Sequence, residues 1–248
     1  MPISDMPASR WYTNILFDMF DYFDPEDISL EELDIKSIVP HVVQDDEGEA
    51  HSPETELIEM EAQIPSELPV LPLRGVVVYP QTAVPLTIGQ PRSIRLVDDV
   101  VASDERLIAL VASRDPELET PGPDDLFTIG TVAMIHRLFR APDGTIRLVV
   151  QGMTRCKVDE YVQVEPYLKG VISVIPEIVE DDVEVEALAR NAREQFGHIA
   201  DMIPSIPAEL VNSILALEDP LQTAYTVANF QRMDLEDAQL LLEMDSVS

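Results

Sequence analysis

Basic residues are scarce in this chain: 16 Lys and Arg stand against 47 Asp and Glu over 248 residues, a formal net charge of −31. That balance excludes nucleic-acid phosphate as the main partner, because such binding works by Lys and Arg displacing counterions. An anionic membrane surface is excluded on the same ground. Only three of the basic residues are lysines, Lys36, Lys157 and Lys169, and none follows a glycine. The G-x-x-x-x-G-K-[ST] loop that cradles nucleotide phosphates is therefore missing, and with it nucleotide hydrolysis by these residues. A single cysteine, Cys156, permits no internal disulfide and fits a reducing compartment. No apolar run approaches the ~18 residues of a membrane span. Near the N-terminus, NILFDMFDYFD breaks any signal-peptide core with acids. A cytoplasmic location is the expectation.

Catalytic and metal-binding spacings are also missing, since no G-x-S-x-G, H-E-x-x-H or C-x-x-C occurs. The four histidines, His41, His51, His136 and His198, show no paired spacing, so isolated histidines are expected rather than a metal site. Cys156 has two readings. Arg155 and Lys157 beside it would stabilise a thiolate nucleophile. Alternatively, parity from Ile146, Leu148 and Val150 turns Cys156 and Val158 to the core and Arg155 and Lys157 to water, provided no bulge intervenes.

The charge is unevenly spread. Residues 1–67 carry a net −16, residues 68–175 only −2, and residues 176–248 −13. The first region reads as a mostly disordered acidic leader, because QDDEGEAHSPETELIEMEAQIPSE has much charge and few large apolar groups. Within it, Trp11, Tyr12, Ile15, Leu16, Met19, Phe20 and Phe23 fall on one side of a helical wheel, with Asp18, Asp21 and Asp24 opposite. Residues 11–23 thus read either as an amphipathic segment that docks into a groove on a partner or on the chain's own body, or as a helix that covers local apolar surface or remains disordered.

The nearly neutral middle reads as β. GVVVYP and AVPLTIG are predicted strands, RLIALVAS is a short, continuously apolar one, and GQPRSIRLVDDVVASD changes to helical period, with Pro91 in a favoured early position. TVAMIHRLFR and IRLVVQG flank APDGT, a hairpin turn in which Pro presets φ and Gly accepts positive φ. TRCKVDEYVQVE and YLKGVISVIPE supply two more strands. Short strands with one helix and tight turns suit a small, partly closed barrel or a sandwich. From Asp182 the period is helical: Val185, Leu188, Ala189, Ala192, Phe196, Ile199 and Ile203 form one stripe expected to be buried. Further helices are predicted at AELVNSILALE, at PLQTAYTVANFQ behind the Asp219–Pro220 cap, and at LEDAQLLLEM behind Asp234. Short loops between them predict a bundle.

Taken in order, LPVLPLRGVVVYP, VPLTIGQPRSI, LIALVASRDPE, DDLFTIGTVA, APDGTIRLVVQGMTR and PYLKGVI resemble the amino-terminal, substrate-binding region of the Lon family of ATP-dependent proteases, over about Leu68 to Ser248. Gly75 stands where that family commonly has Asp or Asn, and Gln81 where Gly or another small or polar residue is usual. The resemblance implies an α+β fold in three parts: the leader (1–67), a small PUA-like β-barrel domain (68–178) and an α-helical subdomain (179–248). It also implies a piece of a longer protein whose ATPase and Ser-Lys protease modules lie outside this sequence. ATP and magnesium are then implied for the parent alone, with no catalytic, cofactor or metal residue in this chain. The partners it implies are unfolded or damaged proteins, the parent's own modules and the neighbouring subunits of a homo-hexamer. A stand-alone substrate-binding adaptor is the alternative, and an RNA-binding PUA-like module is a further one that the charge opposes.

A capture module needs exposed apolar surface, because unfolded proteins share exposed hydrophobicity rather than a sequence. Val149 alternates with Arg147 and Gln151, and Phe139 with Arg137 on the partner strand. These two, rimmed by Pro80 and Pro85, are the expected substrate contacts. The plain alternative is that they pack beneath the flanking helix.

Overall fold

The computed structural model describes residues 64–103, 105–179, 183–201, 208–231, 233–244 and 246–247. Residues 1–63 of the leader, the 11–23 segment among them, lie outside the described residues, as does Ile203. In chain order the elements are β1 (Glu67–Leu73), β2 (Ala83–Ile88), α1 (Pro91–Val101), β3 (Leu107–Ala112), β4 (Ile129–Arg140), β5 (Ile146–Gln163), β6 (Lys169–Ile175), β7 (Ile178–Val179), α2 (Val183–Asp201), α3 (Ala208–Leu215), α4 (Pro220–Phe230), α5 (Leu235–Glu243) and β8 (Ser246–Val247). The protein is α+β. Six strands order as β2-β5-β4-β3-β1-β6, and a further β5–β6 pairing closes five of them into a ring, leaving β2 outside on the first part of β5.

Closure depends on the length and bending of β5. Residues Ile146–Gln151 pair with β2, and Arg155–Gln163 pair along β6, while β4 follows the other edge from Ile146 to Lys157. The expectation of two separate strands here was wrong; the chain runs through as one, with register shifts opposite Val132/Ala133 and Ile135/Arg137. Such bulges bend a strand and increase its twist, which lets one strand serve two neighbours in turn.

The opening β element is also displaced from its expected place. ELPVLPL forms β1, whereas GVVVYP has no ladder pairing. Pro69 and Pro72 are tolerated inside β1 because Glu67–Pro69 pair with β6 and Val70–Leu73 with β3, so neither proline must serve two ladders. The 75–82 segment is satisfied differently. Thr131 Oγ1 donates to the Val78 carbonyl at 2.6 Å, Thr82 Oγ1 to Tyr79 O at 2.7 Å, and Gln81 N to Gly152 O at 3.0 Å. Gly75 (φ 70) and Gln81 (φ 56) bracket this crossing in the left-handed region, which Gly, Asn and Asp enter most readily. Gly152 is required where the segment passes over β5: a Cβ there would lie 2.2 Å from Tyr79 O.

Two cores line the two faces of the β body. The first joins α1 (Leu96, Val97, Val100) to Leu71, Ile108, Leu110, Ile135, Ile146, Leu148 and Val150. The second gathers Leu68, Val70, Ala109, Val132, Cys156, Val158 and Ile172, and reaches back to Ile64, ahead of the first strand. Cys156 is fully buried, but by a route that parity misses. The bulge near Gly152 moves it from the first core to the second, and the same shift buries Arg155 at 1% exposure instead of turning it to water. Lys157 is exposed, as parity expects.

The helices are not a free-standing bundle. α2 packs on α3 and α4, while Leu221, Tyr225 and Ala228 of α4 and Leu242 of α5 share a cluster with Val77, Tyr79 and Ala112 of the β body. Asp219 caps α4, accepting a 2.8 Å hydrogen bond from Leu221 N. The expected buried stripe of α2 is narrower than its periodicity implied: Val185, Ala189, Phe196 and Ala200 are buried, whereas Leu188 and Ile199 are 57% and 50% exposed.

Candidate functional site

Beyond the closed ring, β2, the first part of β5 and the end of β4 extend as a three-stranded arm. One face of the arm carries the first core under α1. The other is partly exposed, at Thr87 and Phe139, and the registers of the ladders define its rows: Thr87–Arg147–Phe139, Pro85–Val149–Arg137 and Ala83–Gln151–Met134. Residues paired directly across strands share a face, so each row is a line of neighbouring side chains. His136, the extra residue at the second bulge, joins this face by a 2.6 Å hydrogen bond to Gln151 Oε1. Met134 packs against the second core, which makes the open face continuous with the wall of that core.

Three of the four expected contact residues converge here. Phe139 is 36% exposed, Pro85 is half-buried, and Val149 between them is 9% exposed and forms the floor. They do not pack beneath α1, which covers the opposite face. Pro80 is placed elsewhere: it is buried at the crossing of the 75–82 segment over Gly152. Arginines border the strip. Arg137 and Arg147 lie in its rows, whereas Arg140, opposite Ile146, turns to the other face and pairs with Asp98 of α1 at 2.5 Å.

The opposite side of the molecule is sealed. Arg155 Nη1 donates to Leu242 O at 3.1 Å and to Met244 O, and Nη2 donates to Pro176 O at 2.8 Å. The Glu177 carboxylate lies 4.0 Å from Arg155 Nε and accepts from Tyr225 Oη at 3.0 Å. Tyr225 stacks on Tyr79 with ring centroids 5.3 Å apart, and Tyr79 Oη donates to Ala238 O at 3.1 Å. Gln239 Nε2 donates to Ile129 O at 3.0 Å. Burial pushes the Glu177 carboxyl above its usual range, while its hydrogen bond from Tyr225 and the charge of Arg155 act in the other direction. Sequence reasoning missed Arg155 as the centre of this junction. The only local signal is an arginine inside an apolar strand, and parity assigned that to solvent.

Cys156 is not placed as a nucleophile. Burial pushes the Cys156 thiol from 9.0 up to about 12, which suppresses the thiolate a nucleophile needs. Lys157 and Lys169 lie on β5 and β6, not at a helix N-terminus behind a glycine loop, so the arrangement does not fit ATP or its magnesium. No cluster of three or more His, Cys, Asp or Glu able to hold a metal occurs among the described residues. No helix among them is long and apolar enough to cross a membrane.

The described residues form a small β body with a helical buttress. The chain belongs to the ATP-dependent protease La (Lon) substrate-binding domain family, whose model matches residues 67–248. Lon protease 1 of Herpetosiphon aurantiacus is 41% identical over 195 residues, 77% of this chain and 24% of that protein. The Lon protease of Escherichia coli K12 is 35% identical over 182 residues, 73% of this chain and 23% of its own. This chain therefore spans about a quarter of the length of these curated relatives. Among solved structures, the N-terminal domain of Mycobacterium avium complex Lon protease superimposes with a TM-score of 0.57 at 20% identity, covering 72% of this chain and 91% of that one. That likeness shows a shared fold.

Proposed function

We propose that the chain is the substrate-capturing end of a Lon protease and that the open face of the β2–β5–β4 arm is where an unfolded protein first binds. The observation that carries this reading is the strip Pro85–Val149–Phe139. It spans three strands and leaves Phe139 36% exposed at its edge, in a family defined by substrate binding. Burying the remaining surface of Phe139 contributes on the order of 1–2 kcal/mol. A single face therefore binds weakly, and several copies side by side in a hexamer raise the avidity without any new contact. Weak, shape-tolerant contact suits a module that samples many unfolded chains.

On this reading the parent is an ATP-dependent serine endopeptidase of the cytoplasm, whose ATPase and protease modules use ATP and magnesium that this chain does not hold. Its partners are unfolded or damaged proteins and neighbouring subunits, not nucleic acid or membrane. The closed five-strand ring favours a PUA-like barrel topology for 68–178, with 179–248 as its helical subdomain. The composition of the leader favours a segment without fixed structure of its own. A photo-crosslinking amino acid placed at Phe139 tests the site, with Leu240, exposed on α5, as control. Crosslinks to a permanently unfolded protein are expected from position 139 and not from 240; equal yields at the two would refute the assignment.

A further inference from the structure

Arg114 is held in place without being neutralised. Two backbone hydrogen bonds, Arg114 N to Asp125 O at 2.8 Å and Phe127 N to Ala112 O at 3.0 Å, clamp the turn after β3 against the stretch leading into β4. On that clamp Arg114 Nε donates to Leu126 O at 3.1 Å, and the guanidinium lies over the Phe127 ring, 4.6 Å from its centroid. Among the described residues the side chain forms no ion pair, and neither Nη group has a hydrogen-bond partner. A guanidinium fixed in this way loses little further entropy when its planar fork meets a carboxylate.

Arg114 lines a cleft of about 270 Å³, together with Phe127, Ile129 at the start of β4, Lys157 of β5 and Glu243 of α5. That volume falls below the usual range for a drug-sized ligand and suits a single residue of a peptide. The walls differ in chemistry. Phe127 and Ile129 are apolar and half-buried. Lys157 adds a second positive charge, but Asp159 lies 3.2 Å from its Nζ, so Arg114 is the principal anion site. Glu243 is the one acid in the lining, and Gln239 behind it fixes that wall: its Nε2 donates to Glu243 Oε1 at 2.8 Å and to Ile129 O at 3.0 Å. Gln239 Oε1 is buried without a partner, an acceptor on the same amide that ties these two walls together.

Such a cleft suits a ligand that brings a carboxylate, a hydrogen-bond donor close beside it and an apolar group. A phosphate carries more negative charge than the Glu243 wall favours, and a polyanion meets a chain of net charge −31. An Asp or Glu inside a chain would have to bring peptide on both sides through the same small space. The last residue of a chain has all three groups on one carbon: the α-carboxylate, its own N–H and the side chain. We infer that the cleft binds the C-terminal residue of a protein chain, with the carboxylate on Arg114, the N–H towards Glu243 and an apolar side chain on Phe127 and Ile129. This assignment stands apart from the reading of the arm as the capture strip.

The test is an anisotropy titration of the peptide Ser-Gly-Ser-Gly-Ala-Leu, labelled at its amino end with fluorescein and carrying either a free C-terminal carboxylate or an amide, with the full 248-residue chain at low salt. The free acid is expected to bind about tenfold more tightly than the amide. Arg114→Gln should abolish that preference, and Arg114→Lys, which keeps the charge without the fork, should keep only part of it. Arg114 is exposed, so both variants should fold, and a ratio taken within one variant does not depend on its active fraction. Equal affinity for acid and amide overturns the inference. So does a preference that survives Arg114→Gln, or failure of both peptides to bind. Free leucine offers the same carboxylate beside an ammonium; if it displaces the peptide at concentrations near the peptide's own Kd, the cleft belongs to a free amino acid and the chain-end assignment falls. If the acid preference needs Arg114 while an unfolded protein fails to crosslink at position 139, the cleft stands and the arm reading fails. If the crosslink forms but acid and amide bind alike, the arm reading stands and the cleft assignment fails.

Discussion

The two ends of β5 face opposite tasks. Around Val149 the strand lies beneath a partly exposed apolar strip with arginines in its rows. Six residues later, Arg155 is the largest wholly buried side chain among the described residues and gathers three backbone carbonyls from the end of α5 and the stretch after β6. A buried guanidinium is tolerable where most of its donors are matched and a counter-charge lies near: Nη1 and Nη2 are hydrogen-bonded, Nε is not, and Glu177 supplies the charge at 4.0 Å. An exposed apolar strip is tolerable because it is small and flanked by charge. One bulge separates the two environments. The lesson is that the rigid end holds the chain running towards Ser248, while the open end stays adaptable.

Breaking the sealed end should have the largest effect. Arg155→Ala removes donors from three carbonyls and strands Glu177, so a loss of about 3–5 kcal/mol is expected in urea denaturation. Fluorescence of bound probe at the arm should change little in conditions where the variant is folded. Next comes the crossing between the two ends. Gly152→Ala forces a Cβ against Tyr79 O and is expected to lower stability by about 1–3 kcal/mol by the same measurement.

Alkaline pH separates the two ends without mutation. Burial raises the Cys156 thiol from 9.0 to about 12 and the Tyr161 hydroxyl from 10.0 to about 12. Folding favours the protonated forms, so their contribution is complete below the unfolded values. It is lost as pH rises from about 9 towards about 12. Denaturation midpoints should therefore be flat near neutrality and fall above about pH 9, and Cys156→Ala should remove the earliest part of that fall. A midpoint that holds steady through pH 11 would contradict the burial assigned to both groups.

What the sequence made legible was local. The Ala141–Thr145 turn, with Gly144 at φ 87 and Asp143 accepting from Thr145 N at 2.9 Å, follows from Pro-Asp-Gly alone. The cap of α4 follows likewise from Asp219–Pro220. Arg155 and GVVVYP were misread because distant partners decide them. A bulge resets parity for every later residue of β5, and a threonine on β4 removes the carbonyl of Val78 from any ladder. The two departures from the family pattern, Gly75 and Gln81, are both at positive φ, a conformation that suits Gly75 and disfavours Gln81. Of the candidate site, Pro85, Val149 and Phe139 were legible because cross-strand rows follow from hairpin register. Pro80 was not, since its burial depends on a crossing no local pattern encodes.

Phe139→Ser is the mildest change for the fold and the most telling for function. Phe139 is a partly exposed residue, so its loss should move the urea midpoint by no more than about 0.5 kcal/mol equivalent. Val149→Ser, by contrast, empties the floor of the strip and should cost about 1–3 kcal/mol. The direct measurement is a fluorescence-anisotropy titration of labelled, reduced and carboxymethylated ribonuclease A with the wild-type chain and with Phe139→Ser. The account predicts saturable binding that weakens roughly fivefold to tenfold in the variant, the equivalent of about 1–1.4 kcal/mol, with superimposable urea curves. Equal affinity for the two proteins would contradict it.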